Sequence, residues 1–359
     1  MPGDARPVRA GEQLNWASVA AYLERHLPAS GIDRLDLSRE PRIEQFHGGH
    51  SNLTYLLRYD DVELVLRRPP LGPLPPTAHD MAREYRWLDA IHPRFPLAPR
   101  TYLLCEDPAV AGAPFYVMER RHGIVVRAEE PPQLADRPAE RRRVSRAMIE
   151  TLADLHAIDV GADGLSHLGK PAGFVERQVR GWTERWSRSK TDEIAEMDAL
   201  AAWLPARLPP DADPPAIVHG DFKLDNVMLD PADAGRVVAV FDWEMTALGD
   251  PLVDLGIFLA YWSHGTRLEP NDALASVTDR PGWFSRDEVI DCYAAKSGRD
   301  LSRLAFYEAF ALFKVAVVIQ QIYFRYQRGQ TTDERFAQFD VRVRHLARKG
   351  FEATLACPP

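Results

Sequence analysis

Two short apolar-rich runs, Thr54–Tyr59 and Val62–Arg67, are separated only by Asp60 and Asp61, which predicts a tight β-hairpin. The proline-rich stretch Pro69–Pro76 then reads as a loop. Beyond it Met81, Tyr85, Leu88 and Ile91 recur at helical spacing within Ala78–Ile91. Two more strands are expected at Thr101–Cys105 and Phe115–Met118, so Ile43–Glu119 is strand-rich with one helix. After Arg121 the period lengthens. Val144, Met148, Leu152 and Leu155 fall on one face of Glu140–Ile158. Gly173–Leu208 predicts one or two helices, and others are expected at Pro251–Trp262, Ser285–Lys296, Ser302–Gln327 and Asp333–Lys349. Two short apolar strands, Val227–Leu229 and Val237–Phe241, interrupt the helices and flank a very polar loop. The expected class is α+β. An N-terminal extension or helix (1–40) precedes a small antiparallel-sheet lobe with one helix (41–119) and a larger, mostly helical lobe (120–359).

At 359 residues the chain is long enough for two lobes with separate cores. A formal charge of −8 argues against a nucleic-acid or anionic-membrane partner, both of which call for a basic surface. Cys105, Cys292 and Cys357 are too far apart for a metal spacing or a disulfide framework. Met1–Gln13 has no apolar stretch, Leu255–Trp262 is too short for a bilayer, and Phe306–Ile319 is interrupted by Lys314. A reduced, cytoplasmic protein is the expectation.

The chemistry concentrates in Ile217–Asn226, where His219, Asp221, Lys223 and Asn226 stand in the spacing H-x-D-x-K-x-x-N. Asp242, Trp243 and Glu244 follow the next strand. Phosphoryl transfer needs a carboxylate to orient and deprotonate a hydroxyl, hard oxygen ligands for Mg²⁺, and cations near the phosphates. Asp221 suits the first task, Asn226 and Asp242 the second, and Lys223 part of the third. Several polar groups in this order, with an apolar strand between the two clusters, are more than an ordinary polar loop.

This segment resembles the catalytic and metal loops of the aminoglycoside phosphotransferase and choline kinase superfamily, relatives of the protein kinases. The wording Val218–His219–Gly220–Asp221, Asp242–Trp243–Glu244 and Leu248–Gly249–Asp250–Pro251 looks closest to bacterial phosphotransferase enzyme family proteins, and to the kinase-like domain fused to certain acyl-CoA dehydrogenases. The resemblance covers roughly Ile43 to Arg328. It implies a protein kinase-like two-lobe fold, ATP and Mg²⁺ as cofactors, and transfer to a hydroxyl of a small molecule. In its light Phe46–Thr54 resembles the glycine-rich phosphate loop, with Gly48, Gly49, Ser51 and Asn52 near the phosphates. Arg67 stands where the family has a strand cation pairing with the phosphates and with a helix carboxylate, here Glu84. Arginine for lysine is a departure, since a planar fork and a compact ammonium are not equivalent. Phe115–Glu119 resembles the strand leading to the hinge, where backbone groups of Glu119 and Arg121 would meet adenine. Asp254 resembles a family residue that supports the catalytic loop.

The acceptor is less legible. Sites for polycationic aminoglycosides are usually rich in carboxylates, whereas Phe174–Trp186 offers Arg177, Arg180 and Trp182, suited to an anionic or partly apolar substrate. Glu244 is a further substrate candidate. The relatives fused to dehydrogenases imply a hydroxylated acyl chain, as its CoA thioester. The alternatives are an antibiotic-resistance kinase and a nucleotide-binding pseudokinase scaffold; Arg67 is the one feature favouring the scaffold.

Overall fold

The computed structural model describes residues 4–27, 31–32, 35–47, 52–72, 79–127, 129–162, 164–262, 277–331 and 333–357. The chain divides into two compact units. One is Met1–His122 with Val238–Glu244, and the other is Gly123–Val237 with Met245–Pro359.

The first unit contains β1 (Ala5–Arg6), α1 (Trp16–His26), β2 (Arg42–Phe46), β3 (Leu53–Tyr59), β4 (Val62–Arg68), α2 (Met81–Ile91), β5 (Thr101–Cys105), α3 (Pro108–Ala111) and β6 (Phe115–Glu119). The strands form one sheet in the order β1-β2-β3-β4-β6-β5, and every pair is antiparallel. Tyr55, Leu57, Leu64, Leu66, Phe115 and Val117 bury one face of the sheet with Val19 and Leu23 of α1. Alternation along each strand therefore puts Arg67 on the other face, and the register sets it opposite Tyr116 of β6. Helix α2 starts at Asp80, whose carboxylate accepts the Arg83 N–H at 2.9 Å, a side-chain cap for an otherwise orphan donor.

The second unit contains β7 (Ile124–Val125), α4 (Pro138–His156), α5 (Phe174–Ser189), α6 (Ala195–Ala206), β8 (Ala216–Val218) and β9 (Val227–Leu229). Strand β10 (Val237–Val240) leads out of it, and β11 (Ala247–Gly249), α7 (Leu252–Trp262), α8 (Arg286–Ser297), α9 (Leu304–Gln327) and α10 (Phe339–Thr354) complete it. Helix α7 is apolar almost all round and buried on nearly every residue, as a central helix must be. Helix α9 is long and apolar enough by composition to cross a bilayer, but 67% of its most apolar window is buried inside the unit. The pair β8–β11 aligns Ala216 with Gly249 and Val218 with Ala247. An added Cβ at Gly249 would lie 2.1 Å from the Phe174 ring, so only glycine lets α5 approach that pair.

Of the one or two helices expected over Gly173–Leu208 the structure has two, α5 and α6, with a break at Lys190–Ile194. Strands β7, β8 and β11, two or three residues each, had no counterpart in the hydrophobic pattern.

Candidate active site

In the first unit the Arg67 guanidinium sorts two carboxylates with different nitrogens. Nε lies 3.3 Å from Glu84 Oε2, and Nη2 lies 2.8 Å from Asp242 Oδ1. Glu84, on α2, also meets the Tyr116 hydroxyl. Burial works against charge on Arg67, but Glu84, Tyr116, Asp242 and Glu244 outweigh it and raise its pKa above the ordinary value. Asp242 adopts φ +67, the left-handed region that aspartate tolerates better than most residues. Its segment is tied to the unit through main-chain and ring contacts. Val240 N–H donates to Leu97 C=O at 2.8 Å, Trp243 packs edge-on against Phe95, and Arg83 Nη1 donates to Glu244 C=O at 2.8 Å. Asn52 Nδ2 donates to Glu244 Oε2 at 3.0 Å, and Asn52 Oδ1 lies 2.8 Å from His79 Nδ1. Gly48, Gly49 and Ser51 lie outside the described residues. Glu119 N–H donates to Arg100 C=O at 2.9 Å, and Arg121 Nη2 donates to Pro96 C=O at 2.6 Å.

In the second unit Asp221 stands at the end of a tight turn leaving β8. Lys223 Nζ donates to its Oδ2 at 2.8 Å, and Asn226 Nδ2 donates to the same oxygen at 2.9 Å and to the Asp221 C=O at 2.8 Å. Asn226 thereby commits its NH₂ to Asp221, which leaves the amide oxygen as the group available to a cation. Although burial opposes charge on Lys223, Asp221 and Tyr261 hold it protonated, well above the usual lysine value. Its ammonium lies 4.9 Å from the Tyr261 ring centroid.

Beneath the turn, Asp254 of α7 is fully buried. Its carboxylate accepts the His219 N–H at 2.6 Å and the Gly220 N–H at 2.7 Å, with His156 Nε2 at 3.2 Å. Burial pushes the Asp254 carboxyl up, but His156, His219 and the Gly220 N–H bring it below the ordinary value. Burial lowers His156, against the raising influence of Asp254. Gly220 has φ +84, and a Cβ there would lie 2.8 Å from Met245 Cβ, so both conformation and space demand glycine. Its C=O accepts from Lys314 Nζ of α9 at 2.6 Å. Asp221 N–H donates to His219 Nδ1 at 3.2 Å, which makes His219 an orienting residue.

Among the described residues none of Arg177, Arg180 and Trp182 hydrogen-bonds Asp221. Arg177 clamps the carbonyls of Lys170 and Ala172, Arg180 is exposed, and Trp182 packs inside the unit between Arg185 and Lys314. Tyr116, Arg83, His156 and Lys314 belong to these networks without having been singled out as site residues. For Lys314 a signal existed: an isolated charge amid an apolar helical run. Among the described residues no cluster of three or more His, Cys, Asp or Glu forms a ready metal cage. The Asn226 amide oxygen and the Asp242 carboxylate are each of the hard type that Mg²⁺ takes.

The family model of the phosphotransferase enzyme family matches residues 42–289. "Acyl-CoA dehydrogenase family member 11" of Gallus gallus is 36% identical over 361 residues, which is 98% of this chain and 45% of that protein. This chain thus spans less than half the length of that relative. A crystal structure from Ralstonia eutropha JMP134 assigned to the aminoglycoside phosphotransferases is 31% identical, with a TM-score of 0.79 over 97% of this chain and 100% of that one. The fold extends to a thermostable mutant of aminoglycoside phosphotransferase APH(4)-Ia in ternary complex with AMP-PNP and hygromycin B. That structure is 16% identical, with a TM-score of 0.54 over 87% of this chain and 95% of that one.

Proposed function

Because the chain belongs to the phosphotransferase enzyme family, we propose that it is an ATP- and Mg²⁺-dependent kinase of a small-molecule hydroxyl, with Asp221 as the base. The observation that carries this reading is the Asp221 carboxylate, held on one oxygen by Lys223 and Asn226 and, among the described residues, accepting no hydrogen bond on the other. A carboxylate so steadied can orient a hydroxyl and accept its proton while that oxygen attacks the γ-phosphorus in line. Lys223 would steady Asp221 and offset charge on the transferred group. Asn226 and Asp242 would supply oxygen ligands to Mg²⁺, which neutralises phosphate charge when bound. Arg67, with Glu84, would meet the α- and β-phosphates, and Gly48–Asn52 would cover the triphosphate. Backbone groups of Glu119 and Arg121 would receive the adenine.

The acceptor we favour is a hydroxylated acyl-CoA, an anionic and partly apolar metabolite handled in the cytoplasm. The name of the Gallus gallus relative supports it, since a dehydrogenase of acyl-CoAs shares a chain with a sequence like this one. An aminoglycoside acceptor is the alternative supported by the Ralstonia eutropha neighbour. The direct Arg67–Asp242 contact, which engages one oxygen of the proposed metal ligand, favours a different reading, a nucleotide-binding scaffold.

One screen separates them: ADP release from ATP across hydroxyacyl-CoAs, sugars, amino alcohols and aminoglycosides, with Mg²⁺ and with EDTA. A Mg²⁺-dependent signal on a hydroxyacyl-CoA, lost in Asp221→Ala, is the expected result. ATP binding without turnover on any acceptor would establish the scaffold instead.

A further inference from the structure

Among the described residues helix α9 is the most apolar long helix, and Lys314 lies at its middle, 6% exposed. Burying an ammonium costs more than burying a methylene chain, so packing alone does not account for lysine there. Its Nζ reaches the Gly220 C=O at 2.6 Å and lies 5.4 Å from the Trp182 ring centroid. The N–H of the same residue is held by Asp254 at 2.7 Å. Both backbone polar atoms of Gly220 are thus fixed by buried, oppositely charged side chains from two different helices. Glycine is required by φ +84 and by the nearness of Met245, yet it is the residue with the most conformational freedom. The residue before the proposed base therefore needs restraint from outside the turn.

We infer that Lys314 is a positioning residue for the transfer step: its ammonium pins the Gly220 peptide and so aims the Asp221 carboxylate at the acceptor hydroxyl. This rests on the kinase reading above and adds a residue to it. The charged groups facing Lys314 are Asp221 and Lys223 of the turn, Asp254 of α7 and Arg185 of α5. Burial is the largest influence and, with Lys223 and Arg185, outweighs the two carboxylates, drawing the ammonium down to about 8. The clamp is charge-assisted at neutral pH and weakens as the ammonium becomes a neutral amine.

The test is Lys314→Met, a neutral side chain of similar length, assayed as Mg²⁺-dependent ADP release with the acceptor that the screen identifies. Expected is a fall in kcat of roughly 10- to 100-fold, the scale on which partners that orient a functional group act, with KM for ATP within about twofold. Amide hydrogen exchange at Gly220 and Asp221 should quicken more than in the rest of the unit. Wild-type kcat/KM should decline above about pH 8, and Lys314→Arg, which keeps a charged donor, should carry activity to higher pH. A wild-type profile flat through that range, or wild-type kcat in Lys314→Met, overturns the inference. If Lys314→Met does not fold, the wild-type profile and Lys314→Arg decide it; the same alkaline decline in Lys314→Arg overturns it. Asp221→Asn separates the two claims. An inactive Asp221→Asn beside a fully active Lys314→Met removes only the role of Lys314, whereas a fully active Asp221→Asn removes the kinase mechanism and this inference with it.

Discussion

Asp242 and Asp221 each follow a short apolar strand, yet different physics holds them. In the first unit the Asp242 carboxylate is held by a cation, and the segment around it by main-chain contacts at Val240 and Glu244. Arg67 reaches it from β4 while also holding Glu84, and the carboxylate keeps 28% of its surface exposed. Asp221, in the second unit, has Lys223 and Asn226 on its carboxylate, and in addition the turn before it is gripped by Asp254 and Lys314, buried charges on α7 and α9. A partly exposed ion-pair network is adjustable and feels salt. A backbone clamped by buried charge is rigid and expensive to break. A residue that meets a nucleotide phosphate or an ion benefits from the first arrangement, and a base that must meet a hydroxyl at one angle needs the second.

Four substitutions probe that contrast, in falling order of effect. Asp221→Ala should lower turnover by roughly 10²–10⁴-fold, the scale of a positioned general base, and barely move the melting midpoint. Loss of stability on the same scale would mean that the side chain, and not the turn, holds this loop. Asp254→Asn should cost about 3–5 kcal/mol in urea unfolding together with activity, because one of the two buried N–H donors it serves would face an NH₂ group. Arg67→Lys should lower kcat/KM for ATP by about tenfold yet cost under about 1 kcal/mol. A point ammonium cannot give Glu84 and Asp242 separate nitrogens, but the network is partly wet. An unfolding cost like that of Asp254→Asn would erase the distinction between the two loops. Tyr116→Phe, removing only a hydroxyl at Glu84, should cost about 1 kcal/mol, read from the same unfolding curves.

Much of this was legible before any coordinates. The helices of four turns or more and the central hairpin declare themselves through period and length. The spacing of His219, Asp221, Lys223 and Asn226 marks the turn because chemistry confines those residue types to one loop. The illegible parts share a physical cause. Strands β7, β8 and β11 are too short to show a period, and their stability comes from partners distant in sequence. Lys314 appears in the sequence only as a flaw in an apolar run, because its meaning depends on a carbonyl 94 residues away. Arg177 and Trp182 misled for the opposite reason. A basic aromatic helix face looks like a binding surface until Trp182 proves to be core and Arg177 a clasp on its own loop.

The left-handed backbone at Asp242 makes that position a tug-of-war between melting point and chemistry. Glycine would sit there more comfortably, by about 1 kcal/mol, enough to offset much of the lost ion pair to Arg67. A chain selected for thermal endurance alone would drift toward glycine or asparagine at 242, and the carboxylate would be the first thing discarded.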